Sequence, residues 1–185
     1  MLYLASNSPR RAELLTQIGV SFSLINGTID EQRKPGEGAE RYVLRLALEK
    51  AQAGFANSDQ RYPVLGADTI VVVDHHVLEK PEDELSGKKM LQLLSGRTHQ
   101  VFTAIAVVNS SSEKTQLVKT DVTFKVLSEQ DIAAYWSTGE PLDKAGGYAI
   151  QGIAGKFITN INGSYSAVVG LPLYETELLI KELKE

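Results

Sequence analysis

The chain has 185 residues, no cysteine, a formal charge of −4 and a pI near 5.5. That length suits one domain, or one domain with two lobes, around a sizeable core. The missing cysteines exclude disulfides, thiolate metal sites and cysteine nucleophiles, and the acidic balance excludes a general basic surface for a nucleic acid backbone, so any phosphate binding must be local.

The opening MLYLASNSPRR carries an apolar run too short for a signal peptide, and its basic residues follow that run instead of preceding it. No apolar run approaches the roughly 18 residues of a membrane span, so the chain reads as cytosolic. Leu2 to Ala5 predicts a first strand, and Pro9 to Ile18 a helix that Gly19 ends. Ser21 to Ile25 reads as a second strand, followed by the polar loop NGTIDEQRKPGEG. A helix is predicted over Ala39 to Asn57. The β-branched run VLGADTIVVVD predicts a buried strand, closed by a turn at Asp74-His75-His76. Asp83 to Leu94 fits an amphipathic helix. Two β-rich runs between Thr98 and Val126 flank Asn109 to Lys114, the pattern of a long hairpin. Ser128 and Asp131 suit the capped first turn of a helix that reaches Trp136. A strand over Lys156 to Ile161 and a final helix from Pro172 complete the chain. Helices and strands interleave around one hairpin, which predicts a single α/β domain over residues 1–185 with a mixed sheet.

Several polar residues interrupt these patterns. Ser8 suits a helix N-cap and Pro9 the first helical position. Arg10 and Arg11 then occupy a first turn where acidic side chains are favoured by about 0.3–1 kcal/mol, so the sign is wrong twice. An external anion would complete such a turn, with helix N–H groups, hydroxyls and guanidinium forks directed at phosphate. The alternative is that both arginines face solvent or pair with acidic loop residues. Lys50 falls within the apolar stripe formed by Ala39, Tyr42, Val43, Leu46 and Ala47, so it must either snorkel out or meet an anion. Asp68 lies with Thr69 in an apolar strand and needs a metal, water or cation nearby. Its other reading is a cap on a turn between two shorter strands. Pro81 forces Lys80 into an extended conformation. Glu31 is a candidate second carboxylate for a hard divalent cation, or simply part of a solvated acidic loop. His75 and His76 read as a surface turn and His99 as a satisfied strand residue. The Gly-rich stretch from Asp143 through Gln151 and Gly152 could read a base edge or be a packed turn.

Taken in order, ASNSPRR, Glu31, Lys50, LGADT, LEKP, SGRTHQVFTA, DKAGGYAIQG and INGSYSAVVGLPLYET resemble the Maf family of nucleoside triphosphate pyrophosphatases, over Leu2 to about Thr176. The pattern is similar to that of the members acting on dTTP and UTP. Asn7 departs from it, standing where a glycine is common between the two serines. The resemblance implies an elongated Maf/ITPase-like fold with helices flanking the sheet and a cleft between two lobes. It also implies a homodimer and hydrolysis between the α and β phosphates, assisted by magnesium or manganese. It makes Asp68 the proton acceptor and a metal ligand, with Glu31 as a second ligand or close behind it. Lys50 and Lys80 become catalytic cations, and Ser8, Arg10 and Arg11 bind phosphate. Arg11, Thr69 and Gln151 match positions that influence substrate choice. Stable nucleic acid or membrane binding is not expected. A regulator of cell division or septum formation that binds nucleotide is the competing reading.

Overall fold

A computed structural model describes residues 1–182. Its seven strands form one mixed sheet in the order β2-β1-β3-β5-β6-β7, with β4 beside β3, and six α-helices accompany them among the described residues. By contacts the chain divides into two compact units. One comprises Met1–Thr69, Thr103–Val118 and the segment from Gly170, and the other Ile70–Phe102 and Lys119–Val169.

In the first unit, β1 (Leu2–Ala5) leads through Ser6–Ser8 into α1 (Pro9–Gln17). The helix buries Leu14 and Leu15 and ends at Gly19, whose φ of 70° lets the chain reverse toward β2 (Phe22–Leu24). β2 pairs parallel with β1, and β3 (Val64–Val73) pairs parallel with β1 on its other edge, aligning Ala5 with Gly66. Between them, α2 (Ala39–Ala56) buries Tyr42, Val43, Leu46, Ala47, Ala51 and Gly54, the 3.6-residue stripe that the sequence pattern predicts. Gly66 sets how closely α2 lies on β3. A Cβ there would stand 2.4 Å from the Ala47 carbonyl oxygen and 2.6 Å from the Ala51 amide nitrogen, so only glycine permits this approach. The last helix, α6 (Leu173–Glu182), is tied back by Lys114 to Glu182 at 2.7 Å.

The second unit has its own core, in which Leu91, Leu94, Phe124, Tyr135, Tyr148 and Phe157 are buried together. β3 turns through Asp74 and His75, both at positive φ, into the antiparallel β4 (His76–Leu78), as a two-residue hairpin loop requires. Asp83 caps α3 (Glu84–Leu94), and a reciprocal Ser128–Asp131 box caps α4 (Glu129–Trp136). β5 (Thr98–Val108) and β6 (Glu113–Phe124) are the long hairpin, each contributing residues to both units. β7 (Ile158–Asn162) pairs antiparallel with β6.

Three local expectations are corrected. The predicted strand at Lys156 begins two residues later, because Ile153–Phe157 coil into a 3₁₀ turn that buries Ala154 and Phe157. A short helix, α5 (Tyr165–Val169), occupies a stretch for which no helix is predicted. The last helix begins after Pro172, whose carbonyl accepts from the Thr176 amide at 2.9 Å.

Candidate active site

Asp68 lies inside the continuous strand β3, which removes its reading as a turn cap. Side chains alternate along a strand, so Asp68 shares a face with Gly66 and looks toward the turn of α2 that Gly66 admits. Lys50 sits on that turn, and its ammonium donates to Asp68 Oδ1 at 2.7 Å. The same ammonium lies 2.8 Å from Glu31 Oε1. Two carboxylate oxygens therefore share one nitrogen, and the separation between them cannot exceed the sum of those two distances. The Lys50 and Asp68 side chains retain 12% and 11% of their exposure, whereas Glu31 retains 51%. Burial raises the Asp68 pKa above the ordinary aspartate value, and the charges of Lys50 and Arg11 oppose that rise.

Arg11 projects from the first turn of α1. Its Nε donates to the Gly170 carbonyl at 2.8 Å, Nη1 to Ser6 Oγ at 3.1 Å and Nη2 to Thr69 Oγ1 at 3.3 Å. Thr69 in turn shares a hydrogen bond with Thr103 Oγ1 at 3.0 Å. These acceptors are uncharged, and two of the five guanidinium N–H donors are left over from these contacts. Burial lowers the Arg11 pKa from the ordinary arginine value, with the negative charge of Asp68 acting against it. α1 has no acidic residue in its first turn. Ser8 takes the N-cap position, but its hydroxyl makes no cap bond, contrary to the local expectation. Its amide donates to Ser6 Oγ at 3.2 Å instead, and Arg10 has no hydrogen bond or ion pair among the described residues. The start of this helix is thus basic and its N–H groups lack a side-chain acceptor from Ser8.

The first unit therefore contains Ser8, Arg10, Arg11, Glu31, Lys50, Asp68 and Thr69. Direct contacts join Glu31, Lys50 and Asp68 in one group, and Arg11 and Thr69 in another. Lys80 and Gln151 belong to the second unit. Lys80 is exposed two residues after the end of β4, ahead of the buried Pro81. Gln151 is exposed on the turn before the 3₁₀ segment. Glu140 holds that turn by accepting from the amides of Ile153 at 2.8 Å and Ala154 at 3.2 Å and from the Tyr135 hydroxyl at 2.9 Å. His75 and His76 are exposed at the β3–β4 turn, and His99 is buried with Nε2 2.7 Å from the Tyr148 hydroxyl.

Among the described residues no group of three or more acidic or histidine side chains could hold a metal ion. The pair Glu31 and Asp68 still suits magnesium, which is commonly held by one or two carboxylates with substrate phosphates and waters completing its octahedron. Both supply hard oxygen donors, and both already face one positive charge on Lys50.

The family model described as Maf-like protein matches residues 1–183, spanning both units. The chain belongs to the Maf family. This Maf chain is 59% identical over 179 residues to a Shigella dysenteriae protein named dTTP/UTP pyrophosphatase, covering 97% of this chain and 91% of that one. A Shigella flexneri protein named nucleoside triphosphate pyrophosphatase is equally similar, with the same identity and coverage. An Escherichia coli O157:H7 protein named dTTP/UTP pyrophosphatase is 58% identical over the same shares of each chain. A solved Mycobacterium abscessus nucleoside-triphosphatase (dITP/XTP pyrophosphatase) aligns at a TM-score of 0.44 and 17% identity, over 66% of this chain and 73% of that one, a likeness too slight to carry weight. Motif reading assigned no role to Ser6, Thr103 and Gly170 around Arg11 or, in the second unit, to Glu140, which accepts from the amides of Ile153 and Ala154. Thr103, fully buried in the apolar run VFTAIAVV, gives the same signal as Asp68, a polar residue among apolar neighbours. Gly170 gives none, because only folding brings its carbonyl to Arg11.

Proposed function

We propose that this Maf protein hydrolyses dTTP and UTP to the nucleoside monophosphate and pyrophosphate. The observation that carries the reading is the buried Asp68 carboxylate beside Lys50, with Glu31 on the same ammonium and the basic α1 terminus in the same unit. The names of relatives at 58–59% identity support the substrate class.

In this mechanism Asp68 takes a proton from the attacking water, the water oxygen bonds to phosphorus, and the α–β bridging bond breaks. The electrons leave with the displaced pyrophosphate oxygen, so the two products together carry one more negative charge than the triphosphate, and the proton on Asp68 passes to solvent to restore the base. A carboxylate with a raised pKa is a better base near neutral pH than an ordinary aspartate. Lys50 offsets charge that grows on nonbridging oxygens, a role fixed before substrate arrives by its place on α2. Arg10, the remaining donors of Arg11, Ser8 and the free N–H groups of α1 bind phosphate oxygens. Thr69, presented by Arg11 and Thr103, and Gln151, on the turn that Glu140 holds, contact the substrate and bias its choice. Lys80 supplies a further cation. Glu31 and Asp68 would hold a divalent cation, magnesium or manganese, which when bound makes a coordinated water more acidic and offsets phosphate charge. A homodimer in the cytoplasm is part of the same proposal.

Product analysis tests it. Canonical nucleoside triphosphates incubated with magnesium, then manganese, are expected to yield monophosphate and pyrophosphate in equal amounts, fastest from dTTP and UTP. Release of inorganic phosphate with nucleoside diphosphate, or nucleotide binding without any product, would overturn it.

A further inference from the structure

Glu31 is half-exposed on a segment with no helix or strand, Glu31–Gly38, yet its carboxylate meets Lys50. An exposed ion pair contributes about 0–1 kcal/mol and cannot fix such a loop alone. What fixes it is a row of side chains on α2. The Tyr42 hydroxyl donates to the Glu31 carbonyl at 2.9 Å. One turn further along, Arg45 grips Glu37 with two parallel bonds, Nε to Oε1 at 2.7 Å and Nη2 to Oε2 at 2.8 Å. Arg45 Nη2 also donates to the Gln32 carbonyl at 3.1 Å, and Nη1 to Glu49 Oε2 at 3.0 Å. Its guanidinium carbon lies 5.6 Å from the centroid of the Tyr42 ring.

The Arg45 and Glu37 side chains are only 15% and 9% exposed, so their paired bonds are shielded from water and worth more than an ordinary surface bridge. Glu37 then gathers the rest of the loop. Its carboxylate accepts from the Lys34 amide at 3.1 Å, and its carbonyl from Arg33 Nε at 2.8 Å. Arg45 thus ties both ends of the segment to the helix that carries Lys50, five residues away. Lysine could not replace it, because one ammonium cannot span a planar carboxylate, a carbonyl and a second carboxylate together.

We propose that Arg45 is a positioning residue for Glu31: by locking the 31–38 segment onto α2, it sets the Glu31–Lys50–Asp68 geometry on which binding of a divalent cation depends. Arg45 itself touches neither Lys50 nor Asp68. The activity part of its test rests on the pyrophosphatase reading, and the metal-affinity part does not.

The test compares wild type, Arg45→Met, Glu31→Gln and the double variant, with thermal melts to report the folded fraction. Manganese affinity is measured by calorimetry without nucleotide, and pyrophosphate release is titrated with magnesium. Arg45→Met is expected to weaken manganese binding and raise half-saturating magnesium roughly tenfold, the usual consequence of losing a partner behind a metal ligand. At saturating magnesium its kcat should stay within about twofold of wild type, since the reacting groups are intact. In the Glu31→Gln background the same substitution should add less than about twofold. Glu37→Gln keeps the shape of its side chain and is expected to shift both midpoints in the same direction by less. An unchanged metal midpoint with kcat reduced only as the folded fraction falls would overturn the proposal. So would a full effect in the Glu31→Gln background, or a wild-type protein indifferent to both metals. Absence of pyrophosphate release alongside a shifted manganese affinity would instead sink the pyrophosphatase reading and leave this one standing.

Discussion

Asp68 is asked to be buried and yet ionised. Burial pushes its pKa up, and the charges of Lys50 and Arg11 together with the Lys50 hydrogen bond oppose that rise. For a base that must be deprotonated, the sign of the pH effect follows. Activity is present above the raised pKa and is lost as pH falls through it, so the acid limb of the kcat profile should lie above the ordinary aspartate value. Removing the positive charge with Lys50→Met should carry that limb to still higher pH, beyond lowering the rate. A limb at the ordinary aspartate value in the wild type would contradict this account of the site's electrostatics. Asp68 was legible in the sequence because it interrupts a continuous apolar run, and Lys50 because it falls within an apolar stripe of 3.6-residue period. Arg11 was legible as a charge of the wrong sign at a helix start. What holds Arg11 was not, because its best acceptor, the Gly170 carbonyl, lies 159 positions away in the chain and a backbone oxygen carries no residue-specific signal.

Elements matter here for how closely they approach. The contact between Lys50 and Asp68 exists because α2 rests directly on β3 at Gly66, where an added Cβ would meet the Ala47 carbonyl oxygen at 2.4 Å. Gly66→Ala must therefore push the helix off the strand. It is expected to cost about 1–3 kcal/mol of stability, as overpacking does. It should also lower kcat beyond what the melt explains, because the displaced helix carries Lys50. Urea unfolding together with steady-state rates checks both parts, and an alanine variant with wild-type stability and rate would refute the close-approach argument. Periodicity located α2, α3, α4 and the β5–β6 hairpin to within a residue or two, since α2 and the hairpin carry long amphipathic or β-branched patterns and α3 and α4 open on capping boxes. It failed at Ile153–Phe157 and Tyr165–Val169, which are too short to display a period. Their shape depends on tertiary partners, the Glu140 carboxylate for the first of them.

At the scale of the whole molecule, the division into two units follows from strands that pass from one to the other, which no local pattern announces. The core of the second unit contains a titratable group, His99, at 2% exposure and edge-on to Phe124 with ring centroids 5.0 Å apart. Burial lowers its pKa from 6.5 to about 4. The unfolded chain then binds a proton that the folded one refuses between those two values, so stability should fall as pH drops from 6.5 to 4 and be unaffected by this residue above that window. The full loss would be about 3 kcal/mol at 1.36 kcal/mol per pKa unit. His99→Leu should flatten that part of the stability–pH curve, and denaturant midpoints measured across the window would detect it. A slope unchanged by the substitution would assign the pH dependence elsewhere. The central claim, that a buried carboxylate held by Lys50 drives hydrolysis of a nucleoside triphosphate, is tested most directly by one measurement: pyrophosphate release from dTTP and UTP by wild type and by Asp68→Asn, both shown to be folded and to bind nucleotide. The account predicts rapid release by the wild type and a loss of about 10²–10⁴-fold in the variant, the usual contribution of a positioned base. Equal turnover by the two proteins would contradict it.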